Sequence, residues 1–337
     1  MAWLPTITSR CTRLEHVTPF PRGTRDWRDQ AGRIVSKCVR SWDSIKSLRT
    51  DIVDSAAFQY LSRCGELRHL QLCDNPSALP SNENGAAFPA LETLYLDGEV
   101  KAPTRFLEWA DGISIVDFTE ECPPWTTADE VHALFSAVPT GISHFSLKHF
   151  AFDDHYDSFD AANVHVHLIR SSSLRRLFCF TNLTSVSILS AVGVDMDDTT
   201  ATDMARSWPH IQRLELQSFY GTPVPPATLQ CLQAFAKYCP HLTKLCMSFD
   251  ATVIPDSHGD LSLESLEHLD VEGSPIRDAA CVAPYIKAIF PKLRSIGTLL
   301  DSLEGDHELG AGVVPGVVGS HAGWKNVETL LIYDENM

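Results

Sequence analysis

Histidine and aspartate side chains gather between His144 and His167, where their types are best suited to chemistry. The segment contains His144, His149, Asp153, Asp154, His155, Asp157, Asp160, His165 and His167. Imidazole nitrogens and carboxylate oxygens are ligands of transition metals. If the residues around His165 form a strand, His165 and His167 share one face of it. One hypothesis is therefore a metal-dependent hydrolase that uses the His144–His167 region.

The spacing of these residues matches no established metal-binding or catalytic pattern. Neither His-Glu-x-x-His nor a paired Cys/His motif occurs, and the chain has no Gly-x-Ser-x-Gly turn. The glycine-rich segment from Gly310 to Gly319 lacks the preceding strand and the glycine spacing of a nucleotide-binding loop. We therefore predict a non-enzymatic protein with no catalytic, cofactor-binding or metal-ligating residues and no cofactor. The hydrolase remains the alternative.

A different pattern, Leu-x-x-Leu-x-Leu with conservative replacements, returns along the whole chain. Most of its spacings lie in or just above the roughly 20–29 residues of leucine-rich repeats. The alternating end of each copy predicts a short strand, and strands that recur once per unit pair in parallel. Clear copies begin at Leu67, Leu91, Ile211, Leu242 and Leu266, and looser ones at Val39, Ile113, Ile142, Leu183, Leu293 and Val327.

Helices are predicted between these strands. Apolar residues at helical spacing mark 128–138 and 229–238, and capping residues or terminal prolines mark 197–208 and 280–290. Three of these helices end just before Pro209, Pro240 or Pro291, and an apolar residue follows each proline two positions later. Proline stops a helix and keeps the preceding residue out of the helical conformation. Each unit is therefore expected to alternate a strand with a helix.

These features predict an α/β fold, namely a leucine-rich-repeat solenoid (horseshoe) with parallel strands on the concave side and helices on the convex side. Residues 1–38 are interpreted as an N-terminal basic segment or cap. Residues 39–337 are interpreted as an irregular leucine-rich-repeat array of about ten to eleven units. The longest spacing, from Ile142 to Leu183, is where we expect an exposed polar loop to interrupt the array.

Charge and composition restrict the partners. Residues 1–70 hold 12 Lys/Arg against 7 Asp/Glu, whereas the rest of the chain holds 15 against 36. An acidic array repels phosphate, so no nucleic acid partner is expected. The ten cysteines form no Cys-x-x-Cys pair, and no apolar stretch approaches the ~18 residues of a membrane span. We expect a cytoplasmic or nuclear monomer with reduced thiols and no membrane contact.

The outward-facing strand residues form the candidate site. Their polar, mixed-charge character suits a protein partner bound on the concave face, and Tyr95, Phe219 and Tyr220 are the best-placed aromatic residues. The predicted partner-binding residues are His69, Gln71, Thr93, Tyr95, Asp97, His144, Lys148, Arg213, Glu215, Gln217, Lys244, Ser248, His268, Asp270 and Glu272.

Several phrases of the sequence resemble one family. These are Asp26-Trp27 followed by Arg33-Ile34-Val35, and the segments 180–184, 204–216, 232–242 and 289–296. Together they resemble the fungal (basidiomycete-type) F-box proteins with degenerate leucine-rich repeats, over residues 20–337. The resemblance implies that the repeats recruit a substrate protein for a cullin ubiquitin ligase.

In that family an N-terminal F-box of three helices docks on the Skp1 adaptor. Here Trp3 to Ile7 is a poor match to the Leu-Pro-x-Glu phrase that opens an F-box, and few residues precede Asp26. The resemblance therefore concerns the repeat region, and Skp1 is expected as a partner only if an F-box lies upstream. A stand-alone repeat scaffold, or a decoy that binds substrate without delivering it, remains an alternative.

Overall fold

A computed structural model describes residues 14–18, 25–50, 53–73, 79, 87–122, 126–154, 164–218, 225–256, 261–303 and 317–333. The described chain is α/β, with one large parallel sheet and helices between the strands. The strands are β1 (His16–Val17), β2 (Ser47–Thr50), β3 (His69–Cys73), β4 (Thr93–Asp97), β5 (Asp117–Cys122), β6 (His149–Asp154), β7 (Ile169–Arg170), β8 (Ser185–Ser190), β9 (Val194–Asp195), β10 (Arg213–Ser218), β11 (Lys244–Cys246), β12 (His268–Asp270) and β13 (Ser295–Gly297).

The sheet has 11 strands in the order β1-β2-β3-β4-β5-β6-β8-β10-β11-β12-β13. Every neighbouring pair is parallel, and the strands of this sheet stand in the order in which they occur along the chain. β7 and β9 form a separate two-stranded parallel sheet. This strictly sequential order is consistent with a repeat solenoid, in which each unit contacts its neighbours.

The helices are α1 (Arg25–Cys38), α2 (Ser55–Leu61), α3 (Lys101–Ala110), α4 (Ala128–Gly141), α5 (Val164–His167), α6 (Ser171–Leu174), α7 (Asp198–Ser207), α8 (Gln230–Tyr238), α9 (Ala279–Ile289), α10 (Leu299–Leu303) and α11 (Val317–Tyr333). Short 3-10 turns span Val39–Ser41 and Arg175–Leu177. The four helices predicted from the sequence are confirmed as α4, α7, α8 and α9.

The repeat is also visible in the backbone hydrogen bonds. The carbonyl of the residue that precedes a strand accepts two N–H bonds from the start of the next strand. Glu92 O, for example, accepts from Val116 N at 2.8 Å and from Asp117 N at 3.1 Å. The same pair of bonds joins every neighbouring pair in the large sheet, with acceptors Glu15, Lys46, Arg68, Glu92, Val116, Lys148, Thr184, Gln212, Thr243 and Glu267.

The proline-terminated helices end alike. Trp208, Cys239 and Phe290 are fully buried and share nearly the same backbone angles, with φ between −118° and −124° and ψ between 63° and 72°. Each donates its N–H to the carbonyl four residues earlier, so the helix closes before the proline. The common conformation turns the chain from the helix toward the next strand, as the proline pattern predicts.

The two faces of the sheet differ in burial. Leu94 and Leu96 of β4 are buried, whereas Thr93, Tyr95 and Asp97 are half-buried, and β5, β6, β8 and β10 show the same alternation. Helices pack on the buried face, where Phe135 of α4 lies 5.5 Å from the ring of Phe150 and 5.3 Å from that of Phe152. We call the opposite, partly exposed face the open face.

Some strand predictions are wrong in position. The copy at Ile142 predicts a strand over 142–147, but the strand is β6, and Phe145 is 82% exposed. Phe150 and Phe152 are both buried and alternate with partly exposed residues, so they occupy the inward positions of the strand. The strand near the copy at Ile113 also lies later in the chain than predicted. It is β5, and its buried residues are Phe118, Glu120 and Cys122.

The first and last copies of the repeat, at Val39 and Val327, do not form the predicted strands. Val39 lies in a 3-10 turn, and the strand of that unit is β2. Val327 lies in helix α11, where Trp324, Val327 and Leu331 are buried at helical spacing. The sheet itself is continuous across the spacing from Ile142 to Leu183, because β6 pairs directly with β8. Residues 155–163, where the polar loop is expected, lie outside the described residues.

Helix α11 closes the last edge of the sheet. Ile296 of β13 donates its N–H to Glu328 Oε1 at 2.9 Å, and its carbonyl accepts from Lys325 Nζ at 3.0 Å. Trp324 Nε1 donates to Ser274 O at 2.8 Å, and its ring packs edge-on against Phe249. Side chains of α11 thus satisfy backbone groups that an edge strand would otherwise expose.

Candidate functional site

The open face is the candidate site, and its side chains form three rows across the strands. In the first row His69, His149, Arg213 and His268 are exposed. The second and third rows hold smaller or half-buried residues on most strands. Most of these side chains can hydrogen-bond, so the face can recognise polar groups of a partner.

Most of the sequence-predicted site residues lie on this face. They occupy the first, third or fifth positions of their strands: His69 and Gln71 on β3; Thr93, Tyr95 and Asp97 on β4; Arg213, Glu215 and Gln217 on β10; Lys244 on β11; and His268 and Asp270 on β12.

Four predicted site residues lie elsewhere. His144 and Lys148 precede β6, and His144 Nε2 bonds the carbonyl of Pro139 at 3.0 Å. Ser248 follows β11, and its hydroxyl is buried without a hydrogen-bond partner among the described residues. Glu272 follows β12 and is buried. Phe219 and Tyr220, the other aromatic candidates, lie outside the described residues.

The sequence prediction missed the open-face residues of three central strands. They are Asp117, Thr119 and Glu121 of β5; His149, Ala151 and Asp153 of β6; and Ser185, Ser187 and Leu189 of β8. Alternation of Phe118 with Thr119 and of Phe150 with Ala151 is the signal that would have found the first two sets. The Leu-x-x-Leu-x-Leu template hid it, because glutamate and phenylalanine replace leucine there.

Polar pairs connect neighbouring strands on the open face. The imidazole of His149 contacts the carboxylate of Asp117 in the first row. His268 Nδ1 lies 2.8 Å from Ser295 Oγ, and Lys244 Nζ lies 2.9 Å from Glu215 Oε1. These contacts orient side chains that are partly exposed, so the face presents polar groups in fixed orientations.

The third row is acidic at its centre. Asp97, Glu121 and Asp153 are directly opposite one another on β4, β5 and β6. Three carboxyl groups therefore lie side by side at one place on the open face.

Two further carboxyl groups lie beneath this region, on the buried side of the same strands. Glu120 is fully buried between Leu96 and Phe152, and its Oε2 has no hydrogen-bond partner among the described residues. Burial raises the pKa of Glu120 well above its usual value. Burial also raises the pKa of Asp154 to about 7, although hydrogen bonds from Thr126 oppose the shift. Both groups favour the neutral acid.

A third group of ionisable residues lies near the other end of the sheet. Cys246 Sγ donates to Glu272 Oε1 at 3.1 Å, and Asp270 Oδ1 accepts the N–H of Glu272 at 2.9 Å. Ligand atoms of Cys246, Asp270 and Glu272 lie within 4.8 Å of one another. Burial, reinforced by the charge of Asp270, raises the pKa of Glu272 to about 7. The described chain thus brings a thiol and two carboxyl groups together.

The His144–His167 segment does not form the expected strand. His167 lies in the short helix α5, is buried, and its Nδ1 lies 2.9 Å from the carbonyl of Thr126. His155, Asp157 and Asp160 lie outside the described residues, as does the side chain of His165. The prediction that His165 and His167 share a strand face is therefore wrong.

No protein-family model matches the chain, and no curated protein sequence matches it. One solved structure that resembles it is a crystal structure of a Bacteroides fragilis protein from a structural-genomics programme. The two are 12% identical with a TM-score of 0.31, and the match covers 64% of this chain and 63% of that one. A likeness at this level supports no functional argument.

No helix in the described part of the chain is both long enough and apolar enough to cross a membrane.

Proposed function

We propose that this chain is a leucine-rich-repeat solenoid that works as a non-enzymatic protein-interaction module. In this proposal the open face is the concave surface, and a protein partner binds across its strands. The unequal burial of the two sheet faces supports the proposal most directly: one face is packed with helices, while the other presents polar side chains from neighbouring strands. Extended surfaces of this kind are what solenoids use for binding.

The acidic third row favours a partner that carries basic groups. Asp97, Glu121 and Asp153 place three carboxyl groups side by side, and cationic side chains of a partner would complement them. Tyr95, in the second row beside them, offers an aromatic surface with a hydroxyl group. We propose that β4, β5 and β6 form the centre of the interface.

The resemblance to fungal F-box proteins supplies the cellular role of the proposal. The module would recognise a substrate protein for a cullin ubiquitin ligase, with Skp1 as a further partner only where an F-box is present. It would act in the cytoplasm or nucleus as a monomer. The alternative roles are a stand-alone scaffold and a decoy.

Site-specific photocrosslinking tests the interface. A photoreactive residue would replace Tyr95 or Thr119 on the open face or, as the control, the exposed Glu108 of α3. The expected result is the same crosslinked protein from both open-face positions and none of it from Glu108. Crosslinking of that protein from position 108 alone, or from no position while it still binds, would contradict the assigned face.

The ligase role needs a separate measurement. Co-purification of the chain with Skp1, in its native cell and in a reconstituted mixture, is expected if the role is correct. If the crosslinked partner binds but Skp1 does not, the interaction module stands and the scaffold or decoy role replaces the ligase role. The two results therefore distinguish the interface from the cellular function.

A further inference from the structure

We infer that Cys246, Asp270 and Glu272 form a binding site for a Zn²⁺ ion. Each residue offers one ligand atom, and these atoms all lie within 4.8 Å of one another. Cys246 and Asp270 are direct cross-strand partners on β11 and β12, while Glu272 follows Asp270 by two residues. The site shares Asp270 with the open face, but all three ligands belong to this chain, so zinc binding can be measured without the proposed partner.

The separations between the candidate ligand atoms suit a zinc ion. Zinc forms bonds of about 2.3 Å to thiolate sulfur and about 2.0–2.2 Å to carboxylate oxygen, so neighbouring ligand atoms in a tetrahedral site lie roughly 3.5 Å apart. Cys246 Sγ and Glu272 Oε1 are 3.1 Å apart before any ion is considered. The other two separations among the ligand atoms are at most 4.8 Å, so the three atoms already surround one small volume.

Ser218 fixes the orientation of the Glu272 carboxylate from the side away from the cysteine. Glu272 Oε2 accepts hydrogen bonds from Ser218 N at 3.2 Å and from Ser218 Oγ at 3.0 Å. With Oε2 engaged in this way, Oε1 is the oxygen that faces the thiol. Metal-ligating carboxylates are commonly held by such a hydrogen bond, which aims the free oxygen at the ion.

Gly297 leaves the space that the Asp270 carboxylate occupies. A Cβ atom at position 297 would lie 2.7 Å from Asp270 Oδ2 and 3.0 Å from Asp270 Cγ. Any other residue at this position of β13 would push the carboxylate away. The absence of a side chain at position 297 thus lets the Asp270 carboxylate occupy its place beside Glu272.

The donor types select the class of ion. Ca²⁺ and Mg²⁺ prefer sites made of oxygen ligands only, whereas a thiolate with carboxylates suits Zn²⁺. On binding, the Cys246 sulfur and the Glu272 carboxyl each form a bond to zinc, the protons they hold are released to solvent, and no redox partner is required. Three protein ligands leave a fourth tetrahedral position for water. Lys244, whose charge acts on Asp270, offsets part of the remaining negative charge.

Metal titration of the purified, chelator-treated chain tests the site. We expect one equivalent of Zn²⁺ to survive dialysis and to raise the midpoint of thermal unfolding, as a ligand of the folded state must. Co²⁺ as a spectroscopic probe should give a thiolate-to-metal charge-transfer band that saturates at one equivalent. This measurement on the unmodified chain does not depend on any variant being folded.

Variants then assign the ligands. Cys246→Ser and Asp270→Asn should each remove the retained zinc equivalent and the thermal shift, with folding checked by circular dichroism. Cys179→Ser, which alters a half-buried cysteine on another turn, is the matched control and should bind as the parent does. Ser218→Ala keeps all three ligands and should weaken binding by roughly 10–100-fold.

Two outcomes would overturn the inference. One is the absence of a stoichiometric Co²⁺ band and of retained zinc in the unmodified chain. The other is equal binding in the parent, Cys246→Ser and Asp270→Asn, which would place the metal at other cysteines. Neither outcome bears on photocrosslinking of the open face, so failure here is distinguishable from failure of the proposed function.

Discussion

Glu272 reaches past the end of β11 to Ser218 on β10, two strands away in the sheet. Its Oε2 accepts both the N–H and the hydroxyl of Ser218 at 3.2 and 3.0 Å. β11 ends at Cys246, whereas β10 extends to Ser218. The glutamate therefore satisfies the end of the longer strand, where the shorter neighbour provides no backbone partner. Glu272 adopts a left-handed conformation, with φ of 52°, to place its side chain there.

Replacing Ser218 by alanine should lower the free energy of unfolding. The change removes the hydroxyl donor and leaves Oε2 with the N–H alone, which costs about 1–3 kcal/mol for a buried group that loses a hydrogen bond. Urea unfolding of the metal-free chain measures the effect. Ser187→Ala on the open face is the control and should change stability by less than about 0.5 kcal/mol. Equal effects of the two changes would mean that the bond to Glu272 contributes nothing.

Glu120→Leu should stabilise the chain. The carboxyl group is fully buried, and one oxygen has no hydrogen-bond partner among the described residues. A leucine would match Leu96 on β4 and remove a desolvation cost of about 1–3 kcal/mol. Thermal and urea unfolding should both show the gain.

The adjacent residue provides the control for that change. Glu121→Leu alters the same strand and the same charge, but on the open face, and should gain less than Glu120→Leu. If Glu120→Leu is the more destabilising of the two, the carboxyl must hold a structural role that outweighs its burial. The comparison separates the loss of a charge from the filling of a core position.

Asp154 gives a prediction for pH. Its pKa in the folded chain is about 7, against 3.8 as the ordinary value, so the folded state holds a proton that the unfolded state has released. Its contribution to stability therefore falls as the pH rises from about 4 to about 7 and is constant above that range. Each unit of pKa difference corresponds to about 1.4 kcal/mol.

The variant Asp154→Asn should remove this dependence. The free energy of unfolding of the variant, minus that of the parent, should rise by a few kcal/mol between pH 4 and pH 7. Subtracting the two profiles cancels the groups they share, including Glu120. A difference that is flat over this window, or that falls with pH, would mean that Asp154 is ionised in the folded chain.

The sequence predicted most of the elements but misplaced some strands. Leucine at both inward positions locates β3 and β4 correctly, because Leu70, Leu72, Leu94 and Leu96 are all buried. β5 and β6 instead use Phe118, Glu120, Phe150 and Phe152 inward. The leucine-rich-repeat template, which looks for aliphatic residues, instead begins its copies at Ile113 and Ile142. Both residues lie before the strands that form. Since side chains alternate with period two, such a shift changes which residues reach the open face.

The prediction of the candidate site residues is correct only where the strand positions are predicted correctly. Residues of β3, β4 and β10 were placed on the open face because their strands were located correctly. The site predicted at His144 and Lys148 failed with the position of β6. The contact between Ser218 and Glu272 could not be predicted at all. It joins residues 54 positions apart and depends on the different lengths of β10 and β11, which no local pattern encodes.

The last strand yields a prediction about self-association. β13 is an edge of the sheet, and Glu328 and Lys325 of α11 bond both backbone groups of Ile296. An unprotected edge strand is a template for pairing with another chain. The double variant Lys325→Ala with Glu328→Ala should therefore associate at concentrations where the parent does not, as measured by sedimentation velocity.

Lys292→Ala with Glu264→Ala removes an exposed ion pair of the same charge types and is the matched control. If both double variants sediment like the parent, the two side chains do not protect the edge. If both associate, loss of surface charge is the cause, because only the first pair touches β13.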